Sequence, residues 1–353
     1  MTAAPRVTVH HLGRSGEHAG GMTQVLNAYL AWPFEEADVR VIRSRADPHD
    51  LPAAVRRSSA ALRELLRLPT DRPQVVVGHL SERGSFVREG SLLRVARARG
   101  IPTIAHLHGS EFAAFAERHP KLVSAALRAS DRVISLSDES SEVAGRFVDP
   151  ARVELVPNAI PGGTPSAKTR TVVFGGAVGH RKGIDVLQAA WARIAPDGWR
   201  LVVAGPIRDA HLVRRDLPGV EFRGAVPHDE LMRLLDGAAI AVLPSRDEAM
   251  PMFILEALAR DCAVVSTDVG GIAAVLADGA GVVLAPGDAD GLADALGLLT
   301  ADADARARIA AAGRRAFDER FSADAVYPRL ERLWVEAATG TGRAATTAAR
   351  RAG

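Results

Sequence analysis

Two glutamates, Glu248 and Glu256, lie where an apolar strand pattern ends and an apolar helix pattern begins, with seven residues between them. Open α/β sheets bind their ligands at the carboxyl ends of the strands, so both side chains are candidates for a binding or catalytic site. A carboxylate accepts hydrogen bonds from two neighbouring hydroxyl groups at once. The spacing alone leaves two structural alternatives open: Glu248 as a first-turn acid that favours the helix dipole, and Glu256 as a solvated helix position.

Two adjacent cations, Arg181 and Lys182, follow a glycine-rich turn and precede a helix that starts near Gly183. Arginine offers a planar fork that matches phosphate oxygens, and lysine offers a point charge. A basic pair is electrostatically unfavourable at the N-terminus of a helix, so its position favours an anionic ligand over a merely solvated surface pair.

The elements that must position these groups repeat one unit, in which short β-branched runs alternate with longer helical patterns. This rhythm predicts parallel sheets built from βαβ units. A polar stretch rich in proline and glycine, residues 157–166, separates two such series and predicts a linker. We expect one domain at 1–160 and a second at 161–322, with a helix at about 323–338 that packs back on the first and a disordered tail at 339–353. The strand-like runs begin at Val7, Val39, Val75, Thr103, Val133, Val153, Val172, Leu201, Val220, Ile240, Ala263 and Val282.

Composition excludes several classes of function. The chain has 353 residues, 47% of them hydrophobic, which suffices for two buried cores, and its net charge of +2 is too weak to indicate a nucleic-acid partner. Because no run approaches eighteen apolar residues and no apolar leader opens the chain, we expect a cytoplasmic protein. The single cysteine, Cys262, adjoins a strand-like run and is interpreted as core filler.

Five landmarks in the second half occur in the order of a known family: Pro157-Asn158, Arg181-Lys182-Gly183, Phe222-Arg223-Gly224, the segment from Glu248 to Glu256, and Gly270-Gly271. On these residues the chain resembles the family 4 retaining glycosyltransferases (glycosyl transferases group 1). The first half resembles the family more loosely, through Gly20-Gly21 and residues 101–109. The resemblance implies a GT-B fold, in which two Rossmann-like, doubly wound parallel-sheet domains face each other across a cleft.

The resemblance also implies the reaction. Family members move a hexose-type sugar from a nucleotide-diphosphate sugar, here most simply a UDP- or GDP-sugar, to a hydroxyl of a glycan, glycolipid or small molecule, and they retain the anomeric configuration. No cofactor and no metal is expected, because front-face transfer lets the leaving phosphate take the acceptor proton. The Asp-x-Asp strings at Asp288 and Asp302 match metal-dependent transferases in spelling only, and Asp302 suits a helix cap.

Residue roles follow from the same resemblance. Glu248 would bind hydroxyls of the transferred sugar, and Glu256 the ribose hydroxyls. Arg181 and Lys182 would stabilise charge on the diphosphate, together with backbone amides of the helix start, and Arg223-Gly224 would adjoin the base pocket. The remaining donor-site candidates are Met250 and Pro251, which would shape the sugar pocket, and Met252, Phe253 and Ile254, which supply the amides.

In the first domain, His108 is the catalytic candidate, since a family histidine after the corresponding strand lies near the transferred sugar. His108 fits this position better than His106, although a hydrogen-bonded structural histidine remains the alternative. Gly20 and Gly21 would let the backbone approach the donor closely. An ordinary Gly-Gly turn is the rival interpretation.

Three points stay open at the level of sequence. The family usually has an arginine where this chain has Ala177, so either Arg181 takes over part of the phosphate contact or donor binding is altered. That departure keeps a non-catalytic GT-B scaffold or regulatory subunit as an alternative, beside a nucleotide-sugar epimerase. Residues 52–68 mix apolar side chains (Val55, Leu62, Leu65, Leu66) with arginines (Arg56, Arg57, Arg63, Arg67), which suits either a peripheral contact with the inner face of the membrane or an ordinary surface helix.

Overall fold

A computed structural model describes residues 6–16, 21–45, 51–82 and 84–340 of the chain. The chain divides into two compact units. Unit 1 runs to Asn158 and resumes at Val326, whereas unit 2 comprises Ala159–Ala325. The part of the predicted tail beyond residue 340 lies outside the described residues.

Unit 1 is built around a six-stranded parallel sheet with the strand order β2-β1-β3-β4-β5-β6. Its strands are β1 (Val7–Gly13), β2 (Ala37–Arg43), β3 (Gln74–Leu80), β4 (Thr103–Leu107), β5 (Arg132–Ser135) and β6 (Val153–Leu155). Its helices are α1 (Gly21–Ala31), α2 (Leu51–Arg67), α3 (Gly84–Ala98), α4 (Phe112–Arg118), α5 (Pro120–Arg128) and α6 (Asp138–Gly145). Every residue of β3 is buried, because helices cover both faces of a parallel sheet, and this explains its continuous apolar run.

Unit 2 contains a second six-stranded parallel sheet, with the order β12-β11-β10-β7-β8-β9. Its strands are β7 (Thr169–Gly175), β8 (Arg200–Ala204), β9 (Val220–Gly224), β10 (Ala238–Leu243), β11 (Ala263–Thr267) and β12 (Val282–Leu284). Its helices are α7 (Ile184–Ile194), α8 (His228–Gly237), α9 (Met252–Leu258), α10 (Ile272–Val275), α11 (Ala289–Ala301) and α12 (Ala303–Arg320). The predicted pair of doubly wound parallel sheets is therefore confirmed.

Each sheet has a point at which its strand order reverses direction. In unit 2 the reversal lies between β7 and β10, and in unit 1 it lies between β1 and β3. Doubly wound sheets bind ligands at the carboxyl ends of the two strands that flank this point. The loops to inspect are therefore those that follow these four strands.

The last helix, α13 (Ala323–Thr339), belongs to unit 1 from Val326 onward. Its Trp334 and Tyr327 are fully buried and meet Tyr29 edge-to-face, with ring centroids 5.6 and 5.3 Å away. Glu331 adds a polar contact, since its Oε1 accepts hydrogen bonds from the backbone N–H of Glu36 at 2.7 Å and of Ala37 at 2.8 Å. The helix thus completes the core of unit 1 beside β2.

The segment 52–68 forms most of α2. Leu65 is fully buried in the core of unit 1. It therefore cannot take part in the membrane contact that was predicted for it together with Val55, Leu62 and Leu66. Val55, Leu62 and Leu66 are exposed. Among the described residues, no helix is both long enough and apolar enough to cross a membrane.

Candidate functional site

The two loops at the reversal point of unit 2 are joined by hydrogen bonds that run through Arg246. Its guanidinium donates to both carboxylate oxygens of Asp185, at 2.8 and 2.7 Å, and to the backbone carbonyl of His180 at 2.6 Å. The backbone N–H of Arg246 donates to the carbonyl of Arg181 at 2.8 Å, and the Arg181 guanidinium donates to the carbonyl of Asp247 at 2.8 Å. The loop after β7 and the loop after β10 therefore form one connected surface.

Two glycines allow these loops to approach so closely. Gly183 adopts a φ of +70°, and a Cβ there would lie 1.9 Å from the carbonyl oxygen of Pro244. Gly270 has a φ of +54°, and a Cβ there would lie 1.8 Å from the carbonyl oxygen of Glu248. Because a side chain at either position would collide with backbone, two of the sequence landmarks are explained by packing around the Glu248 loop.

Three of the predicted catalytic groups meet on this surface. Lys182 Nζ forms an ion pair with Glu248 Oε1, and Arg181 Nη1 lies 3.7 Å from the same oxygen. Ser245 Oγ also donates to Glu248 Oε1, at 2.9 Å. The Lys182 and Glu248 side chains are 13% and 9% exposed, whereas Arg181 is 54% exposed. A buried carboxylate and ammonium thus sit beside a solvent-facing guanidinium.

Burial lowers the pKa of the Lys182 ammonium, and the neighbouring Glu248 carboxylate partly offsets this effect. Two buried charges that satisfy each other are costly to separate, because removing one partner leaves the other unpaired. A ligand that offers hydroxyls to Glu248 and phosphate oxygens to the cations would supply both groups with new partners.

Glu256 lies apart from this cluster, on the second turn of α9, and is nearly fully buried. Its Oε1 is 2.9 Å from Nε2 of His228, the first residue of α8. Burial raises the pKa of the Glu256 carboxyl to about 7, and burial likewise lowers the pKa of His228. The solvated helix position that the sequence left open for Glu256 does not occur.

The segment from Met250 to Ile254 is buried throughout. Phe253 packs on the backbone of β7, where a Cβ at Gly175 would lie 2.3 Å from the ring. The backbone N–H of Ile254 donates to the carbonyl of Pro251 at 3.2 Å. The side chains of this segment are therefore buried, and the Ile254 N–H, one of the three predicted phosphate donors, is already hydrogen-bonded within the segment.

Arg223 and Gly224 end β9, which is separated from β10 in the sheet by β7 and β8. Arg223 forms an ion pair with Glu221 at 2.6 Å and lies 3.9 Å from a carboxylate oxygen of Glu230. The structure thus does not join Arg223 to the cluster of Glu248, Lys182 and Arg181.

In unit 1, His108 follows β4 and is part of a cluster of four histidines. His79 Nδ1 lies 2.8 Å from His108 Nε2, and His79 Nε2 lies 2.8 Å from His11 Nδ1. The ring of His106 lies 4.1 Å from that of His108, centroid to centroid. His11, His79 and His106 are buried, and only His108 is partly exposed.

Burial is the main reason why all four rings stay neutral. It lowers the pKa of His11 and of His106 to about 3, and it holds the pKa values of His79 and His108 well below their usual range. Arg45 adds to the effect at His79 and His108, since its positive charge lies nearby and its guanidinium donates to the carbonyl of His79 at 2.8 Å.

The glycine pair of the first half is only partly described. Gly20 lies outside the described residues, and Gly21 is the first residue of α1. Before it, the backbone of Gly16 exchanges two hydrogen bonds with the side chain of Asn27, at 2.8 and 2.9 Å, so the loop after β1 is tied to α1.

The acidic strings and the cysteine have structural roles. Asp288 and Asp302 cap α11 and α12, since their side chains accept hydrogen bonds from the backbone N–H groups of Gly291 and Ala305. Cys262 is buried, and burial raises the pKa of its thiol to about 11.

In the described part of the chain, one group of three residues has ligand atoms close enough to share a metal ion, namely His79, His106 and His108.

Four contributors to the site received no role from the sequence: Arg246, His228, His11 and His79. Arg246 is remote in sequence from its partner Asp185, and His228 is remote from its partner Glu256. His11 and His79 did carry a signal, since they stand near the carboxyl ends of strands that prove to be neighbours.

Both halves of the chain are similar to known proteins. Residues 169–302 match the family model described as glycosyl transferases group 1, and residues 3–159 match that of the glycosyl transferase 4-like domain. The chain is 28% identical over 347 residues to a glycogen synthase of Mycobacterium tuberculosis, covering 86% of this chain and 81% of that protein.

Solved structures share the fold. A sucrose-phosphate synthase from Thermosynechococcus elongatus superposes with a TM-score of 0.71 at 19% identity, covering 93% of this chain and 98% of the other. The Anabaena protein HepE, solved in complex with UDP and glucose, superposes with a TM-score of 0.72 at 16% identity, covering 92% and 98%. At these identities the likeness shows the fold, and the predicted GT-B fold class is confirmed.

Proposed function

The chain belongs to the group 1 glycosyl transferases, and from this we propose that it is a retaining enzyme that moves a hexose-type sugar from a nucleotide-diphosphate sugar to a hydroxyl acceptor. The observation that carries the proposal is the cluster of Glu248, Lys182 and Arg181 at the reversal point of the unit 2 sheet. It combines an acceptor for sugar hydroxyls with two cations for a diphosphate.

A UDP-sugar is the donor that we propose to test first. The solved HepE complex contains UDP and glucose, and the GDP-sugars that the sequence also allowed remain the next candidates. In this assignment Glu256 accepts hydrogen bonds from the two ribose hydroxyls, and its neighbour His228 helps to hold the carboxylate in place. Glu248 binds hydroxyls of the sugar.

Bond cleavage leaves negative charge on the phosphate oxygen that departs from the anomeric carbon. Arg181, whose planar guanidinium is exposed, stabilises this charge, and the positive charge of the buried Lys182 adds to the stabilisation. The acceptor hydroxyl attacks from the same face, its proton passes to the departing phosphate oxygen, and the new glycosidic bond keeps the anomeric configuration. Glu248 and Glu256 hold different parts of the donor, so neither is assigned as a nucleophile, and the step is proposed to need no metal.

The proposal is tested by incubating the purified chain with UDP-, GDP- and ADP-sugars, with and without EDTA. We expect slow hydrolysis of one donor, unaffected by EDTA, and an increase in Tm with the matching nucleotide diphosphate. Proton NMR of the freshly released sugar reports the anomer before it equilibrates, and retention is expected. A panel that gives neither hydrolysis nor an increase in Tm contradicts the transferase assignment and favours a non-catalytic scaffold.

A matched pair of variants makes the test specific to the site. Glu248→Gln removes the buried charge at the cluster, and Glu319→Gln makes the same change on the exposed surface of α12. We expect hydrolysis to fall only in the first variant. A released sugar with altered stereochemistry at another carbon would instead indicate an epimerase.

We also propose a peripheral contact between α2 and an anionic membrane. Val55, Leu62 and Leu66 are exposed at spacings of seven and four residues, which place them on one stripe of the helix. Arginines flank this stripe, and basic amphipathic helices of this kind bind anionic lipid. The exposed arginines are Arg56, Arg57, Arg63 and Arg67.

Co-sedimentation with vesicles tests this contact. The chain should pellet with vesicles that contain phosphatidylserine and stay in the supernatant with phosphatidylcholine alone. Replacing the four arginines of α2 by glutamine should abolish pelleting, and unchanged pelleting of that variant would contradict the proposal.

A further inference from the structure

The hydrogen-bonded chain His11–His79–His108 has a direction, and this direction decides which nitrogen of His108 carries its proton. Each neutral imidazole has one N–H donor and one lone-pair acceptor. His79 uses both nitrogens, one toward His11 and one toward His108, each at 2.8 Å. Once the proton of one ring is placed, those of the other two are fixed, so only two arrangements exist.

In the first arrangement His11 Nδ1–H donates to His79 Nε2, and His79 Nδ1–H donates to His108 Nε2. His108 then carries its own proton on Nδ1. In the second arrangement every donor and acceptor is exchanged, so that His108 donates through Nε2–H and His11 carries its proton on Nε2. The two arrangements differ most at the buried end of the chain, where His11 Nε2 is either an acceptor or a donor.

The surroundings of His11 favour the first arrangement. His11 Nε2 is buried without a hydrogen-bond partner, and so is the indole Nε1 of Trp334. The two rings meet edge-to-face with centroids 5.1 Å apart. The indole nitrogen is a donor only, so a proton on His11 Nε2 would leave two unpaired donors, of like polarity, buried in rings that contact each other. An unprotonated Nε2 instead places a lone pair beside the ring that carries the indole N–H, and these two groups have opposite polarity.

A metal ion shared by His79, His106 and His108 fits less well. Two nitrogens bound to one tetrahedral zinc ion at about 2.05 Å would be separated by about 3.3 Å. His79 Nδ1 and His108 Nε2 are 2.8 Å apart, which is a hydrogen-bond distance. The cluster is therefore better described as a chain of hydrogen bonds than as an empty metal site.

We propose that His79 and His11 are positioning residues that hold His108 in the Nδ1–H form, which gives this partly exposed ring an N–H donor for an oxygen of the sugar being transferred. The role in transfer rests on the proposed function, whereas the tautomer does not. Hydrogen bonds at both nitrogens of His79 also fix its ring orientation, and through it that of His108. The two hydrogen bonds thus align the N–H group of His108 before the substrate binds.

The tautomer is measured directly in the ligand-free protein by long-range proton–nitrogen correlation NMR of the histidine rings at pH 7.5. We expect His108 to be protonated at Nδ1 and unprotonated at Nε2. A proton on Nε2 of His108 in the wild-type protein would overturn the proposal, whatever the outcome of the donor panel. Conversely, an inactive protein that shows the expected tautomer would refute the proposed function and leave the tautomer standing.

Two substitutions at one position separate positioning from simple packing. His79→Asn keeps an N–H donor near the place of Nδ1, whereas His79→Leu keeps bulk and removes the donor. In His79→Leu we expect a mixed tautomer at His108 and a fall in kcat of at least tenfold, with KM for the donor changed less than twofold. His79→Asn should recover most of kcat and the Nδ1–H form.

Equal loss of kcat in both variants, with the His108 tautomer unchanged, would show that His79 is only a core residue. Metal binding is checked in the same protein by titrating Zn²⁺ after EDTA treatment. Stoichiometric binding that is lost in His106→Gln would also overturn the proposal, since the nitrogens would then be metal ligands.

Discussion

Replacing Glu256 by glutamine is expected to stabilise the ligand-free protein at high pH while weakening its binding of nucleotide. The Glu256 side chain is 6% exposed, and burial raises the pKa of its carboxyl from 4.5 to about 7. When the pKa of an acid is higher in the folded than in the unfolded chain, its contribution to stability is fully present at pH values below the pKa of the unfolded chain. That contribution is lost as the pH rises through the folded value.

The size of the effect follows from the two pKa values. Between pH 5 and pH 8, linkage gives a loss of about 2.5 kcal/mol in the free energy of unfolding from this one carboxyl. Glutamine has the same shape without the charge, so the variant avoids the loss. His228 is not expected to compensate with a positive charge at pH 8, because its own pKa is lowered. For a domain of this size, the amount by which the Tm of the variant exceeds that of wild type should be roughly 5–10 °C larger at pH 8 than at pH 5.

The assay is thermal unfolding of wild type and Glu256→Gln at pH 5 and pH 8, with calorimetric titration of a UDP-sugar at pH 8. Glu319→Gln, exposed on α12, controls for the general effect of removing one negative charge. We expect a higher Tm and weaker binding in Glu256→Gln at pH 8 only. A Tm difference that is independent of pH, or unchanged affinity for the nucleotide, would refute the reasoning from burial.

Three further outcomes are expected. Glu248→Gln should lower the rate of transfer by about 10²-fold while nucleotide affinity changes less than threefold, and an equal loss of affinity in Glu248→Gln and Glu256→Gln would show that the two carboxylates do not divide the donor. Gly183→Ala should lower Tm and abolish donor binding, because the added Cβ would collide with the carbonyl oxygen of Pro244. Gly279→Ala is the control, since Gly279 has a similar φ of +78° in open space, and it should lower the free energy of unfolding by only about 1 kcal/mol. Equal losses of stability in the two variants would contradict the close approach to Pro244. Arg246→Lys cannot keep both hydrogen bonds to Asp185, so kcat should fall while the circular dichroism spectrum of the folded protein stays unchanged. Wild-type activity in this variant would show that the loops after β7 and β10 keep their positions without the Arg246 guanidinium.

The strands were predictable because of where they lie in the sheets. Central parallel strands are buried on both faces, so they appear in sequence as β-branched runs. All twelve predicted runs begin within strands, including those of the partly exposed edge strands β6, β9 and β12. The approach of Lys182 to Glu248 was predictable only in part, since the resemblance assigned both to one ligand but did not indicate a direct ion pair between them. That pair arises because β7 and β10 are neighbours in the sheet, although β8 and β9 separate them in the chain.

Partners that come from remote helices and strands could not be predicted. His228 reaches Glu256 from the start of α8, and nothing in the local sequence of either residue indicates the other. The pairing of His11 with His79 depends on the register of β1 beside β3, in which His11 aligns with Val77 and so lies two residues short of His79. Side-chain reach then closes the gap, and a register of this kind cannot be read from a single sequence.

The return of α13 to unit 1 has a consequence for the order in which the protein matures on the ribosome. Unit 1 needs Tyr327 and Trp334 to fill its aromatic core, yet these residues are synthesised only after all of Ala159–Ala325. Unit 2, in contrast, is contiguous and can fold as soon as its last strand and helices emerge. Until α13 is synthesised, the nascent N-terminal half therefore lacks the two rings that contact Tyr29 and Phe34 in the folded unit.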